Sequence, residues 1–508
     1  MFTSTFRGHL PRAALLGSRS RPRVRANPLL QNESPSLLRY VSTRGEAPEL
    51  SFEDALLAGL ARDGGLYVPK VWPKLSPETI ASFAGRPFPE VAVALLEPFA
   101  GGAIPHNELI AIAREAYAGF GHPAVTPLVQ IDRSLWVLEL FHGPTLAFKD
   151  VAMQLLARLM DRVLAARGAR VTIVAATSGD TGGAAIEAFR GSKRVDAVVL
   201  FPQGRISDVQ RRMMTTATEP NVHAIAVDGT FDDCQALVKA MFNDLAFRDR
   251  VQLAAVNSIN WGRIVAQLTY YFVAAAALGS PGRPVAFSVP TGNFGDVFAG
   301  YAAKRMGLPA ERLAIATNEN DILHRAWSTG MYTLSDVVAT TSPSMDIQIS
   351  SNFERFLFEA AGRDAAFVRA KMNGLRQSRS IGLGEAMVPY RQAFIAERVD
   401  RAAVADCIRR VRSESGYLLD PHSACGVVAA RKTLTSQSQH IPHIALATAH
   451  PAKFPDAMEA IVGDRPALPP RLSALMSKPE RIGALPNDLG AVQRFVEERA
   501  RRAQGAAA

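Results

Sequence analysis

Leu138-Glu139-Leu140-Phe141-His142-Gly143-Pro144-Thr145-Leu146-Ala147-Phe148-Lys149-Asp150 is the stretch on which the reading of this chain turns. Just upstream, Leu135-Trp136-Val137-Leu138 is an apolar run of strand length, and Gly143-Pro144-Thr145 ends it with turn residues. From residue 151 to 166 the apolar side chains recur at helical spacing, so Lys149 stands where a loop enters a helix. An amine between Phe148 and Val151 would be partly desolvated, which lowers its pKa and makes it a nucleophile toward an aldehyde. Taken alone, the stretch reads more simply as a surface lysine opening a helix.

Outward from it, residues 130 to 460 alternate between strand-like apolar runs and helical stretches. The runs fall at 171–175, 197–201, 222–227, 286–289, 313–316 and 444–447. Such alternation predicts an α/β fold with a mostly parallel sheet and helices on both faces. Ligands of such sheets gather at the carboxyl ends of the strands.

Several polar motifs fall at those ends. Thr177-Ser178-Gly179-Asp180-Thr181-Gly182-Gly183 joins a strand to a helix start, where backbone amides and the helix dipole attract anions. It reads equally as a tight turn capped by serine and threonine, and the absence of a following Gly-Lys-Ser/Thr disfavours a P-loop. Gly292-Asn293-Phe294-Gly295-Asp296 is a second turn, ahead of a helix at 297–303, that either aims amides at a phosphate or caps the helix with nothing bound. Asn257-Ser258-Ile259-Asn260-Trp261-Gly262-Arg263 offers amide, hydroxyl and guanidinium groups suited to another phosphate, or else a plain helix start with Asn260 as its cap. Thr448 closes the strand at 444–447, and His450 and Lys453 beyond it either face a substrate or serve a capping or surface role. His142 and His422 read as structural hydrogen-bonders and receive no catalytic role. Asn318-Glu319-Asn320-Asp321 reads as a loop and helix cap, so no metal site is expected.

The run from Glu139 to Asp150 closely resembles the Schiff-base segment of the threonine synthases, pyridoxal-phosphate enzymes of the tryptophan-synthase-β-like fold. The resemblance extends from about Arg39 to the end of the chain, with the further motifs in matching order. It implies a two-lobed fold type II enzyme with pyridoxal 5'-phosphate between the lobes, plus a small N-terminal domain. By the same resemblance, Lys149 carries the cofactor, while Gly292, Asn293, Phe294 and Asp296 form its phosphate loop. Asp296 would cap the helix or orient the loop rather than touch the dianion, and Thr448 would bond the pyridine nitrogen. Ser178, Asp180 and Thr181 would hold the amino-acid end of the substrate, and Asn257, Ser258 and Arg263 its phosphate. The implied activity is a carbon–oxygen lyase acting on phosphates: O-phospho-L-homoserine and water give L-threonine and phosphate, the last step of threonine biosynthesis. Rivals on the same fold are a phospho-lyase or a serine/threonine dehydratase giving a 2-oxoacid, and a cofactor-free regulatory relative is a third possibility.

Composition bounds these readings. With 508 residues, 48% hydrophobic and 20% charged, the chain has room for about three domains and an ordinary globular composition. No apolar stretch reaches the roughly 20 residues that span a bilayer. The net charge is +10, but seven arginines against Glu33 place +6 of it in residues 1–39. A basic nucleic-acid-binding surface is therefore not expected. Cys234, Cys407 and Cys425 build neither a disulfide framework nor a metal site and suit a reducing compartment, the cytoplasm.

The expected divisions are a basic extension (1–38), an N-terminal domain (39–120), a catalytic core (130–460) and a helical C-terminal tail (461–508). The extension has the composition of an organelle transit peptide. A misplaced start is preferred, because the resemblance begins at Arg39 and the alanine and arginine usage is that of a GC-rich bacterial genome. An RNA-binding arm ranks last. Partners are expected to be the small-molecule substrate, with neither nucleic acid nor membrane, in a monomer or homodimer.

Overall fold

The structure, a computed structural model, describes residues 38–390, 393–434 and 440–501. The expectation for residues 1–38 lies outside the described residues, save Leu38. Two sheets carry the fold. The larger orders its strands Phe394–Arg398, Ala310–Thr317, Val285–Pro290, His443–Ala447, Leu135–Glu139 and Leu128–Asp132. Its neighbours run parallel, apart from the hairpin formed by the last two. The smaller is wholly parallel, in the order Gly483–Leu485, Val222–Val227, Val195–Pro202, Val171–Ala176 and Leu253–Ala254.

Every residue of Val195–Pro202 and Val285–Pro290 is buried, as expected of parallel strands covered on both faces. That is why these strands read as continuous apolar runs. Helix Lys149–Ala166 follows strand Leu135–Glu139, and helix Trp261–Ala277 is buried along nearly its whole length. Leu128–Asp132, Leu253–Ala254 and Phe394–Arg398 escape the sequence pattern. They are edge strands, short or carrying polar residues toward solvent, and need no full apolar run.

At the N-terminus, Tyr40–Ser42 pairs antiparallel with Tyr67–Pro69. Ser51 caps helix Phe52–Ala58 by accepting from the Asp54 amide at 3.1 Å. The rings of Tyr40, Phe99 and Trp72 lie 5.9, 5.6 and 6.0 Å from that of Trp261. The N-terminal residues thus complete the hydrophobic core around the buried helix.

The segment after residue 461, expected to be helical, holds a strand as well as a helix. Gly483–Leu485 adds a parallel edge strand beside Val222–Val227, and helix Leu489–Arg499 buries Val492 and Val496 completely. Its apolar side chains are few, but they close the second core over Val198 and Val227. Among the described residues, no helix is long and apolar enough to cross a membrane.

Candidate active site

The carboxyl ends of Val171–Ala176 and Val285–Pro290, the start of helix Lys149–Ala166 and the turn after His443–Ala447 surround one cavity of about 370 Å³. That volume suits a cofactor-sized ligand. Lys149, Ser178, Asp180, Thr181, Asn257, Ser258, Arg263, Gly292, Asn293, Asp296 and Thr448 all line it.

Lys149 is the first residue of its helix. The turn before it is tied down when the Phe148 amide donates to the Thr448 carbonyl at 2.8 Å. Asp150 fastens the same turn by accepting from the Thr145 amide (2.7 Å) and hydroxyl (2.6 Å). Lys149 Nζ lies 3.5 Å from Asp180 Oδ2. Burial lowers the lysine's pKa; Asp180 opposes the shift, whereas Lys453 and Arg263 reinforce it.

Asp180 opens helix Asp180–Phe189. Burial works against its carboxylate, yet Lys453, Lys149 and His422 outweigh that cost and hold the carboxyl well below the usual range. Its Oδ1 lies 2.7 Å from Lys453 Nζ and accepts from Gln210 Nε2 at 2.9 Å, while Oδ2 accepts from the Ser344 hydroxyl at 3.0 Å. Expected to hold a substrate's amino-acid end, this side chain is instead surrounded by donors of the protein and faces the Lys149 amine. Ser178 and Thr181 remain on the cavity wall. Gly179 sits at φ +130°, and a Cβ there would lie 2.5 Å from the Gln210 amide group, so the turn and its glutamine fit only as a pair. Thr177 Oγ1 ties the turn internally by accepting from the Gly179 and Gly182 amides at 2.9 and 2.8 Å.

In the second turn, Thr291 Oγ1 accepts from the Phe294 amide at 3.0 Å, and Phe294 takes the left-handed conformation at φ +60°. Its ring leaves the cavity for an aromatic cluster with Trp327, Phe353 and Phe356. Phe294 therefore shapes the turn through its backbone. Asp296 caps nothing with its side chain. It accepts from the Tyr270 and Tyr271 hydroxyls, and burial pushes its carboxyl up to about 6. Of the two roles expected for it, the tyrosine bonds leave the orienting one.

Arg263 is buried in the cavity wall, and its Nε has no hydrogen-bond partner among the described residues. Burial lowers its pKa to about 10, while Tyr270, Asp296 and Asp150 raise it. An unpartnered buried guanidinium needs an anion to complete it. Asn260 caps the helix as expected, accepting from the Gly262 amide at 2.8 Å. Asn257 and Ser258 line the same side of the cavity.

Lys453 is buried away from the surface and off the cavity wall, and its Nζ also donates to the Thr145 carbonyl at 2.7 Å. His450 caps the short turn that follows, accepting from the Ala452 amide at 3.1 Å. His422 lines the cavity with Nδ1 2.7 Å from Asp420 and Nε2 accepting from the Ser344 amide, whereas His142 pairs with Glu139 away from it. Asn318 and Asn320 bind Asp346 and the 338–342 loop, and Asp321 takes the N-cap position of helix Ile322–Thr329 with its side chain paired to Arg325. Among the described residues no three His, Cys, Asp or Glu side chains converge as for a metal. Gln210, Ser344 and Lys453 are the site residues that pattern reasoning did not assign. Their only sequence signals are a capping box at Ser207 and the polar run after Thr448.

These residues fit pyridoxal phosphate. A desolvated lysine faces the cavity, and the unpartnered Arg263 and the amides of a closed glycine turn supply anion sites. At Gly292 a Cβ would meet Ile347 and Met345 at 3.0 and 3.1 Å, so only glycine keeps that turn tight. Fold and site together define a pyridoxal-phosphate enzyme of fold type II.

A family model described as "Pyridoxal-phosphate dependent enzyme" matches residues 120–443. "Threonine synthase N terminus" matches residues 39–117 and "Threonine synthase, C-terminal" residues 423–496. A threonine synthase of Pseudomonas aeruginosa is 51% identical over 467 residues, covering 92% of this chain and 99% of its own. The crystal structure of pyridoxal-phosphate-bound threonine synthase from Brucella melitensis superposes with a TM-score of 0.88 at 58% identity, covering 91% of this chain and 100% of that one. The yeast enzyme gives a TM-score of 0.86 at 39% identity, covering 92% and 99%. The chain belongs to the threonine synthase family and is a pyridoxal-phosphate-dependent lyase.

Proposed function

We propose that the protein converts O-phospho-L-homoserine and water to L-threonine and inorganic phosphate. The observation that carries this reading is the pairing of Lys149 with two separate anion-binding segments, at 257–263 and 291–296, on one cavity. Pyridoxal phosphate, when bound, supplies an aldehyde that captures amines and a ring that accepts the electron pair left by proton removal beside the amino group.

Lys149 would hold that aldehyde, the amides around Gly292, Asn293 and Gly295 its phosphate, and the Thr448 hydroxyl its ring nitrogen. Phe294 and Asp296 support the phosphate turn from behind. Ser178 and Thr181 would bind the substrate's carboxylate. Asp180 acts through Lys149: it stabilises the ammonium form that exists while the lysine carries a proton between substrate carbons. Burial favours the unprotonated resting amine, which is then free to take that proton. Asn257, Ser258 and Arg263 would bind the substrate phosphate and neutralise it as it leaves. Buried surroundings keep water from Lys149 until the step that consumes it.

The test is an end-point balance. Purified protein with the cofactor and O-phospho-L-homoserine should release threonine and phosphate in equal amounts, whereas 2-oxobutyrate in place of threonine would sink the reading. We also infer a monomer or homodimer in the cytoplasm; three unpaired, buried cysteines support a reducing compartment.

A further inference from the structure

We propose that Asn352 and Arg355 are positioning residues that hold the two anion-binding segments at a fixed separation, and that the N-terminal residues act on the site through them. The inference rests on the two-segment reading above. Neither side chain lines the cavity and both are wholly buried, so any effect on ligands must pass through the backbone they hold.

Asn352 precedes helix Phe353–Ala360. Its amide donates to the Asn293 carbonyl at 3.0 Å, in the turn assigned to the cofactor phosphate. Its Nδ2 donates to the Ser258 carbonyl at 3.0 Å, in the segment assigned to the substrate phosphate. One residue therefore bridges both. The neighbouring Ser350 hydroxyl donates to the Gly292 carbonyl at 2.5 Å, adding a second tie to the first turn.

Arg355 fixes Asn352 in turn. Its Nη1 donates to Asn352 Oδ1, its Nη2 to the Ile259 carbonyl at 2.5 Å and its Nε to the Tyr67 carbonyl at 3.0 Å. A fully buried guanidinium spent on two carbonyls and an amide, rather than on a carboxylate, locates backbone; it does not neutralise charge. Burial lowers its pKa to about 9, a sign of how far it is from water. Between the two residues, Glu354 accepts from the Thr43 hydroxyl at 2.7 Å and from Arg44 Nη2 at 2.8 Å. Asn352, Glu354 and Arg355 thus join the cofactor turn, the substrate segment and the N-terminal residues around the strand pair.

Asn352→Asp tests the bridge. The exchange is isosteric, keeps the Asn293 tie and the Arg355 partner, and turns the Nδ2 donor to Ser258 into a carboxylate oxygen whose charge the Arg355 guanidinium pairs. Inorganic phosphate binding to the cofactor-loaded protein, read by calorimetry, should weaken about tenfold, and KM for the phosphorylated substrate should rise by a similar factor, with kcat within about twofold. Cofactor affinity, measured on the apoprotein, should stay within about twofold. Arg355→Lys keeps the charge but loses the fork, and should weaken cofactor and phosphate together, each about tenfold. Should one variant fail to fold, the other still decides the matter. Folded variants that bind both ligands as tightly as the unaltered protein overturn the clamp, even if threonine is made. Loss of phosphate binding in Asn352→Asp, with no threonine formed by the unaltered protein, overturns the reaction and upholds the clamp.

Discussion

Replacing Lys453 by methionine removes one of the two cations that share the Asp180 carboxylate. Lys453 Nζ lies 2.7 Å from Oδ1 and Lys149 Nζ 3.5 Å from Oδ2, which keeps the two ammonium groups within about 8 Å of each other. At an effective dielectric constant near 20, like charges about 8 Å apart repel by about 2 kcal/mol, or between one and two pH units. Lys453 is thus a lever on the Lys149 amine. Without it, Asp180 serves Lys149 alone, and the Lys149 pKa should rise by one to two units while burial continues to hold it down. Methionine keeps most of the side-chain volume, although the Thr145 carbonyl loses its donor, a cost of about 1–3 kcal/mol visible in the melting temperature. Acylation of the apoprotein with acetic anhydride across a pH series, followed by peptide mass spectrometry, reads the Lys149 midpoint directly. In the loaded enzyme, the activity lost near neutral pH should return at higher pH. A Lys149 midpoint unmoved to within about 0.3 unit, in a variant that stays folded, would refute the two-cation argument.

Lys149→Ala should give a protein that no longer absorbs as a cofactor adduct and that loses at least about 10³-fold in threonine formation; a lesser loss in a coupled phosphate-release assay would contradict its role. Arg263→Gln should raise KM for the phosphorylated substrate by about 10²-fold, because a buried charge-assisted contact is lost; steady-state kinetics showing an unchanged KM would remove it from the phosphate site. Burial pushes both Asp150 and Asp296 up to about 6. Each group's stabilising contribution is complete below about pH 4 and is lost as the pH rises toward 6, the folded-state value. Asp296→Asn should flatten that decline by one group. Urea unfolding of the apoprotein at pH 4.5 and 6.5 measures the difference, and parallel behaviour of the two proteins would show the shift to be absent.

The parallel strands and the turns at their ends were legible because one-dimensional pattern suffices for them. A strand buried on both faces must be apolar throughout, as Val195–Pro202 and Val285–Pro290 are apart from a few small or partnered polar groups. Asp196, the charge within the first of these, lies 2.5 Å from Arg501. Turns announced themselves because Gly179 and Gly292 occupy conformations or spaces that a Cβ would spoil. The packing of the final segment was not legible, because Val492 and Val496 are too few to mark a core that other elements supply.

By itself, the chain's sequence determined that strands alternate with helices, where the anion-binding turns fall and which lysine opens a helix beside them. Those features depend on neighbours in the chain, through periodicity, capping and backbone conformation. Only the tertiary structure decided that Asp180 faces Lys149 and Lys453 together, that Phe294 turns its ring away from the cavity and that Asn352 spans two turns. Those outcomes join residues far apart along the chain, where burial and charge pairing, not local preference, choose the partners.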